Sequence, residues 1–242
     1  MIYAALSDIG NKRHTNEDSY LVNEEKGLFI VADGMGGHNA GEVASLEACR
    51  IIESYILNAP SDAEEVLRKA VEKANREIFI RASEEEEKRG MGTTSEVCLV
   101  KGDTLFVAHV GDSRVYILSE NEMRKITKDH SIVGMMVDTG SISEEEARNH
   151  PQRNLITRAV GTGMSIEVDI IEETLHKNDK VLICTDGLTN MVSRDEVFEI
   201  VKNSPNVNEA VKTLVDKAKE NGGDDNITVV IFGTADCEVD NL

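Results

Sequence analysis

Apolar runs of strand length recur along the chain, at residues 2–6, 28–32, 97–100, 105–110, 115–118, 181–184 and 227–232, and several deliver an aspartate beside a glycine at one end. Short runs rich in Val and Ile and closed by Gly, Asp or Asn are strand-and-turn chemistry. Their β-branched side chains fit a pleated surface, and the closing residues tolerate turn backbone angles. Gly102-Asp103 between two such runs reads as a hairpin turn.

Helical periodicity appears in two groups. Residues 42–58 place Val43, Leu46, Ile51, Tyr55 and Ile56 on one stripe; residues 62–81 do the same with Val66, Leu67, Ala70, Ala74 and Ile78, behind a cap at Ser61-Asp62. The second group, 194–202 and Val207–Glu220, precedes the last strand, and the like-charge run from Glu84 to Glu87 reads as a solvated helix end. Strands with few βαβ alternations, plus helices in two pairs, fit two antiparallel sheets covered by helices on both outer faces; on periodicity alone a doubly wound parallel sheet stays open. At 242 residues, with three prolines and no Ser/Gly/Pro-rich stretch, the expectation is one domain over 1–234 and a C-terminal tail over 235–242.

Four acidic turns share one design: Phe29-Ile30-Val31-Ala32-Asp33-Gly34, Val107-Ala108-His109-Val110-Gly111-Asp112, Leu182-Ile183-Cys184-Thr185-Asp186-Gly187 and Gly222-Gly223-Asp224-Asp225-Asn226-Ile227-Thr228. Taken singly, each reads adequately as a turn, and Asn16-Glu17-Asp18 as a loop. Taken together, buried strands carry carboxylates to their ends, and adjacent strands bring those ends into one place. Carboxylates gathered in this way repel unless they are protonated or bound to metal. All-oxygen ligation selects hard cations such as Mg²⁺ or Mn²⁺ over zinc, and the six histidines show no paired spacing. Asp33-Gly34-Met35-Gly36-Gly37-His38 lacks the Gly-Lys-Ser/Thr of a P-loop and the G-x-G-x-x-G fingerprint; its glycines read as a close backbone approach to an ion, freeing the Gly34 carbonyl as a ligand. No nucleophile elbow or Cys-His pairing supports a covalent mechanism.

The formal net charge of −19 argues against nucleic acid, which demands a Lys/Arg surface. It would also repel a phosphate ester unless cations wait in the site. The four cysteines, Cys49, Cys98, Cys184 and Cys237, form no C-x-x-C pair, and Cys98 and Cys184 read as small core residues. Met1 leads directly into strand-like sequence and no apolar run approaches membrane-spanning length, so neither leader nor membrane contact is expected, and a reduced cytoplasm is the expected location. No apolar stripe is left over for an interface, which points to a monomer.

Read in order, a set of motifs resembles the metal-dependent protein phosphatases of the PP2C type, bacterial branch. They are Arg13-His14-Thr15-Asn16-Glu17-Asp18, Val31-Ala32-Asp33-Gly34-Met35-Gly36-Gly37-His38, Ala40-Gly41-Glu42, Met91-Gly92-Thr93-Thr94, Val110-Gly111-Asp112-Ser113-Arg114, Lys128-Asp129-His130-Ser131, Asn154-Leu155-Ile156-Thr157-Arg158-Ala159-Val160-Gly161, Thr185-Asp186-Gly187-Leu188 and Gly223-Asp224-Asp225-Asn226-Ile227-Thr228. The match spans essentially the whole chain.

The resemblance implies an α+β fold, a central β-sandwich of two antiparallel sheets flanked by helices on both sides. It implies hydrolysis of phosphoserine and phosphothreonine in proteins by water activated at two Mn²⁺ or Mg²⁺ ions. Asp33 bridges the metals, the Gly34 carbonyl serves the second, and Asp186 and Asp225 complete the first. Asp112 and Asp186 go with a third, weaker ion; Glu17 and Asp18 hold metal-bound waters; Arg13 grips the substrate phosphate. Animal relatives place a proton-donating His directly after the Asp-Gly pair, where this chain has Met35, leaving His38, His130 and a metal-bound water as candidate donors. Thr93 and Thr94 match positions near the metals, and residues 131–153 occupy the place of a flap beside the site. Met135 and Met136 read as packing residues. The implied partners are phosphorylated proteins, including a Ser/Thr kinase and its substrates.

Overall fold

The computed structural model describes residues 1–36, 40–59 and 62–233. The expectations placed on Gly37, His38, Ser61, Cys237 and the tail at 235–242 lie outside the described residues.

In chain order the strands are β1 (Ile2–Asp8), β2 (Asp18–Asn23), β3 (Leu28–Met35), β4 (Gly92–Thr93), β5 (Ser95–Lys101), β6 (Thr104–Val110), β7 (Arg114–Leu118), β8 (Met123–Lys125), β9 (Asp169–Thr174), β10 (Lys180–Cys184) and β11 (Ile227–Gly233). The α-helices are α1 (Ala40–Asn58), α2 (Ala63–Glu84), α3 (Ile132–Asp138), α4 (Glu144–Arg148), α5 (Asp186–Thr189), α6 (Arg194–Asn203) and α7 (Val207–Glu220). One sheet runs β1-β11-β10-β7-β8; the other runs β2-β3-β5-β6-β9, with β4 paired to the end of β3. Every pairing is antiparallel, which removes the doubly wound alternative.

Strand alternation divides the core into three layers. Phe29 and Val31 of β3 point between the sheets, with Cys98, Val107, Ile183, Val230 and Phe232. Leu28, Ile30 and Ala32 point outward, under Ala44, Ala48 and Ile52 of α1 and Leu67, Ala70 and Ala74 of α2. On the other side, Leu182, Val229 and Ile231 pack beneath Val197 of α6 and Val211, Leu214 and Val215 of α7. Because both faces of the central strands are buried, their sequences are continuous apolar runs and not alternating ones. Phe29 and Phe232 stack across the two sheets with centroids 3.8 Å apart, and burying one such ring is worth about 1.5–3 kcal/mol.

Local chemistry sets the element ends. The Asp62 carboxylate caps α2 by accepting from the backbone N–H groups of Glu64 and Glu65, as its sequence position suggested. Gly102, at φ 65°, makes the two-residue β5–β6 turn. The segment 131–153 holds α3 and α4 as well as loop: Ser131 caps α3 at Gly134, and Ser143 and Glu146 form a reciprocal capping box on α4. Met135, expected to pack, is 50% exposed on α3.

Candidate active site

Both sheets end on the same side in acidic residues. Asp18 opens β2 and stands in register opposite Asp33 on β3. Asp112 lies in the β6–β7 turn, Asp186 is the first residue of α5 directly after β10, and Asp225 lies in the turn that leads into β11. Sheet topology therefore gathers the five aspartates that sequence reading had placed in the site.

Asp33 is fixed through its backbone. Its N–H donates to the Thr94 hydroxyl (2.9 Å), and its carbonyl accepts from the Thr94 N–H (2.9 Å) and the Thr93 hydroxyl (2.9 Å). The Thr94 hydroxyl also bonds that of Ser113, next to Asp112. Thr93 and Thr94 thus act as a clamp on the residue at the middle of the cluster. Gly34 continues β3 and pairs with Thr93. A Cβ there would come within 2.2 Å of the Gly41 carbonyl oxygen and 2.4 Å of that of Glu17, so close packing of three backbones demands this glycine.

The carboxylates themselves are short of donors. Asp18, 7% exposed, accepts at Oδ2 from Thr185 (2.9 Å) and Thr228 (2.7 Å), while its Oδ1 is buried with no partner. Asp186 accepts at Oδ2 from Asn190 (2.9 Å), and its Oδ1 is likewise unpartnered. The neighbour of Asp186 is the Asp33 carboxyl, which can bond it only by carrying a proton. Burial, then the neighbouring carboxylates, raise Asp18 to about 7 and Asp186 to about 6, and push Asp33 and Asp112 well above the usual range. Glu17 is raised too, mainly by burial. Arg13 stands at the rim, its side chain 48% exposed, and donates from Nη2 to Asp225 Oδ2 at 2.8 Å.

Among the described residues no three carboxylate, histidine or cysteine side chains already converge as a closed ligand set. The donor chemistry nevertheless fits hard divalent cations. Enclosed carboxylate oxygens without partners and several like charges, offset only in part by Arg114 near Asp112 and Asp186, form a site whose electrostatics call for added positive charge.

Both ring nitrogens of His130 are engaged within the fold. Its Nδ1 accepts from the Gly111 N–H (3.0 Å), and its Nε2 lies 3.2 Å from Asp169 Oδ2 and 3.0 Å from Arg158 Nη1. Burial, with His109 and Arg158 nearby, lowers it to about 4, which keeps it neutral at physiological pH. Its backbone N–H also returns to the Gly111 carbonyl (2.7 Å), making His130 a brace for the Gly111-Asp112 turn. His109 is buried between the sheets, bonded to Glu96 and to the Lys128 carbonyl.

Asn226 and Thr185 escaped sequence reading as site residues. Both adjoin a site aspartate, and adjacency alone carries no signal of their role. A cleft of about 390 Å³ opens beside α5 and not over the carboxylates, between it, α6 and the flap helices, lined by Val137, Arg148, Leu188 and Arg194 among others.

The family model for protein phosphatase 2C matches residues 11–221. The serine/threonine phosphatase stp of Listeria monocytogenes is 41% identical over 233 residues, covering 93% of this chain and 92% of that protein. The crystal structure of the Mycobacterium tuberculosis serine/threonine phosphatase PstP/Ppp superposes with a TM-score of 0.88 at 40% identity, covering 95% of this chain and 97% of that one. A structure of the PstP catalytic domain in complex with two manganese ions gives a TM-score of 0.86 at 38% identity, over 95% and 96% of the two chains. The chain belongs to the protein phosphatase 2C family, the metal-dependent phosphoprotein hydrolases. Within it, the chain groups with the bacterial serine/threonine phosphatases.

Proposed function

We propose that this chain removes phosphate from phosphoserine and phosphothreonine in proteins at a pair of Mn²⁺ or Mg²⁺ ions, over a catalytic domain spanning 1–234. The observation that carries this reading is the cluster of Asp18, Asp33, Asp112 and Asp186, all raised above the ordinary carboxylate range, with Arg13 at its rim. Asp33, the Gly34 carbonyl, Asp186 and Asp225 would hold the pair, and Asp112 with Asp186 a third, weaker ion. When bound, such a pair supplies the Lewis acidity that makes water a nucleophile at neutral pH and offsets phosphoryl charge.

The other residues position and bind. Thr93 and Thr94 hold Asp33 in place, and Thr185 and Thr228 orient Asp18, which stands with Glu17 behind the ligands as a hydrogen-bond acceptor. Arg13 presents a half-exposed guanidinium, whose planar fork matches two phosphate oxygens. The net charge of −19 makes that positive patch the place where a phosphate group is tolerated.

The substrates are phosphorylated proteins, including a Ser/Thr kinase and its targets, and the chain acts as a cytoplasmic monomer. No helix among the described residues is long and apolar enough to cross a membrane. The test is phosphate release from a phosphothreonine peptide with Mn²⁺. Wild type should be active and silenced by EDTA, and Asp186→Asn should lose about a hundredfold or more. Full activity in EDTA, or in the Asn variant, would sink the two-cation reading.

A further inference from the structure

We infer that Asn226 is a positioning residue that holds the Arg13 loop over the site; the inference rests on the reading of Arg13 as the phosphate ligand. Asn226 is 4% exposed, and its amide is fully used. Nδ2 donates to the carbonyls of Ile9 (3.0 Å) and Thr15 (3.0 Å), and Oδ1 accepts from the Glu17 N–H (2.8 Å). These partners lie on both sides of Arg13 in the chain.

The neighbouring Asp225 completes the arrangement. The Asn226 N–H donates to Asp225 Oδ1 (2.8 Å), and Arg13 donates to Asp225 Oδ2 (2.8 Å). One dipeptide therefore fixes the stem of the loop through Asn226 and its tip through Asp225. The loop needs that support, because residues 11–14 are exposed and belong to no strand or helix. Asn11, bonded to the carbonyls of Lys219 and Gly222 and through its own N–H to Gly223, secures the leading side only.

The chemistry requires an amide at this position. Two donors face two carbonyls and one acceptor faces an N–H, a pattern that aspartate cannot supply although it has the same shape. An Asp here would set carboxylate oxygens against two carbonyl oxygens. The backbone at 226 is held separately: its carbonyl oxygen packs so tightly on Gly187 that a Cβ there would come within 1.9 Å. Changing the side chain therefore loosens the loop and leaves Asp225 in place.

The test compares wild type, Asn226→Asp, Asn226→Ala, Arg13→Ala and the Arg13→Ala/Asn226→Asp double variant. The readouts are kcat and KM on a phosphothreonine peptide, inhibition by inorganic phosphate, and amide hydrogen exchange. Loss of two or three charge-free hydrogen bonds should raise KM and weaken phosphate inhibition about tenfold in Asn226→Asp, with a smaller change in kcat. That loss should vanish when Arg13 is already Ala, and exchange should quicken at residues 9–17 while the strands stay protected. Losses that multiply in the double variant, or unchanged exchange at 9–17, overturn the inference. If Arg13→Ala alone left phosphate inhibition intact, the phosphate-ligand reading would fall, and exchange at 9–17 would decide the placement by itself. Asn226→Ala, which introduces no charge, carries the same comparison if Asn226→Asp does not fold.

Discussion

Asp129 and Asp33 are both enclosed carboxylates, and the chain treats them in opposite ways. Asp129, its side chain 5% exposed, is gripped by Arg114 through Nε and Nη2 at 2.7–3.2 Å and by Lys125 at 3.2 Å. Burial pushes it up, but the two cations outweigh burial and hold it below the ordinary range. Asp33 has no such partner, and burial plus four neighbouring aspartates drive it well above that range. Burial is common to both, so the supply of protein cations decides. A fold that pairs one acid so completely, and gives the clustered carboxyls only Arg13 at Asp225 and the nearby Arg114 at Asp112 and Asp186, leaves that cluster suited to positive charge from outside.

The sharpest break of this comparison is Arg114→Leu, which leaves Asp129 with Lys125 alone. It should destabilise the chain by about 3–5 kcal/mol in urea unfolding, and because Arg114 also faces Asp112 and Asp186, Mn²⁺ should offset a small part of that cost. A cost that disappears on adding Mn²⁺ would mean that Arg114 serves the cluster and not Asp129.

Proton linkage gives the next effect. Asp18 and Asp186 titrate near 7 and 6 when folded, against an ordinary 3.8, so they favour the folded state only while protonated. In EDTA their contribution is complete below about pH 4 and lost as pH rises through 6 and 7. His130, lowered to about 4 from 6.5, works in reverse and is lost as pH falls through that window. Above pH 6.5 the carboxylate effect acts together with that of the buried Glu96–His109 pair, in which burial raises Glu96 to about 7 and Glu96, against burial, raises His109. Tm in EDTA should therefore fall between pH 6.5 and 8, and Mn²⁺ should remove most of the fall, leaving the part due to the Glu96–His109 pair. A Tm that is flat in EDTA across this range contradicts the assignment.

Asp33→Asn is the smallest in stability and the most pointed. Replacing a carboxyl that its neighbours hold protonated by a neutral amide should change the stability of the chelator-treated chain by no more than about 1 kcal/mol while abolishing phosphate release. Destabilisation beyond that by the same substitution would show that Asp33 is compensated within the protein.

The central strands and four long helices were legible in the sequence because their signals are strong: continuous β-branched runs, and stripes such as Val66, Leu67, Ala70, Ala74 and Ile78. The same continuity concealed the sheet type, since strands buried on both faces read alike in parallel and antiparallel sheets. The edge strand β1 was read as the run 2–6, while β2, β8 and β9 were missed for the opposite reason. In β9, Asp169, Glu172 and Glu173 interrupt the apolar pattern, as suits an edge that must not pair further, and β8 is only Met123–Lys125. Helices α3, α4 and α5 are too short for a period to register, though Ser143 and Glu146 carried a capping signature. The aspartates were readable as strand-end residues. The roles of Thr94, His130 and Asn226 were not, because each acts through backbone groups brought close only by the fold.

The account is tested most directly by isothermal titration of the chelator-treated chain with Mn²⁺ near neutral pH, in buffers of different ionisation enthalpy. Carboxyl groups raised to 6–7 still carry protons there, so filling the site must expel them. The expected result is binding of about two ions per chain with proton release, both strongly weakened in Asp33→Asn and intact in Asn226→Ala. Binding without proton release, or binding that Asp33→Asn leaves unchanged, would contradict the claim that this cluster is held open for divalent cations.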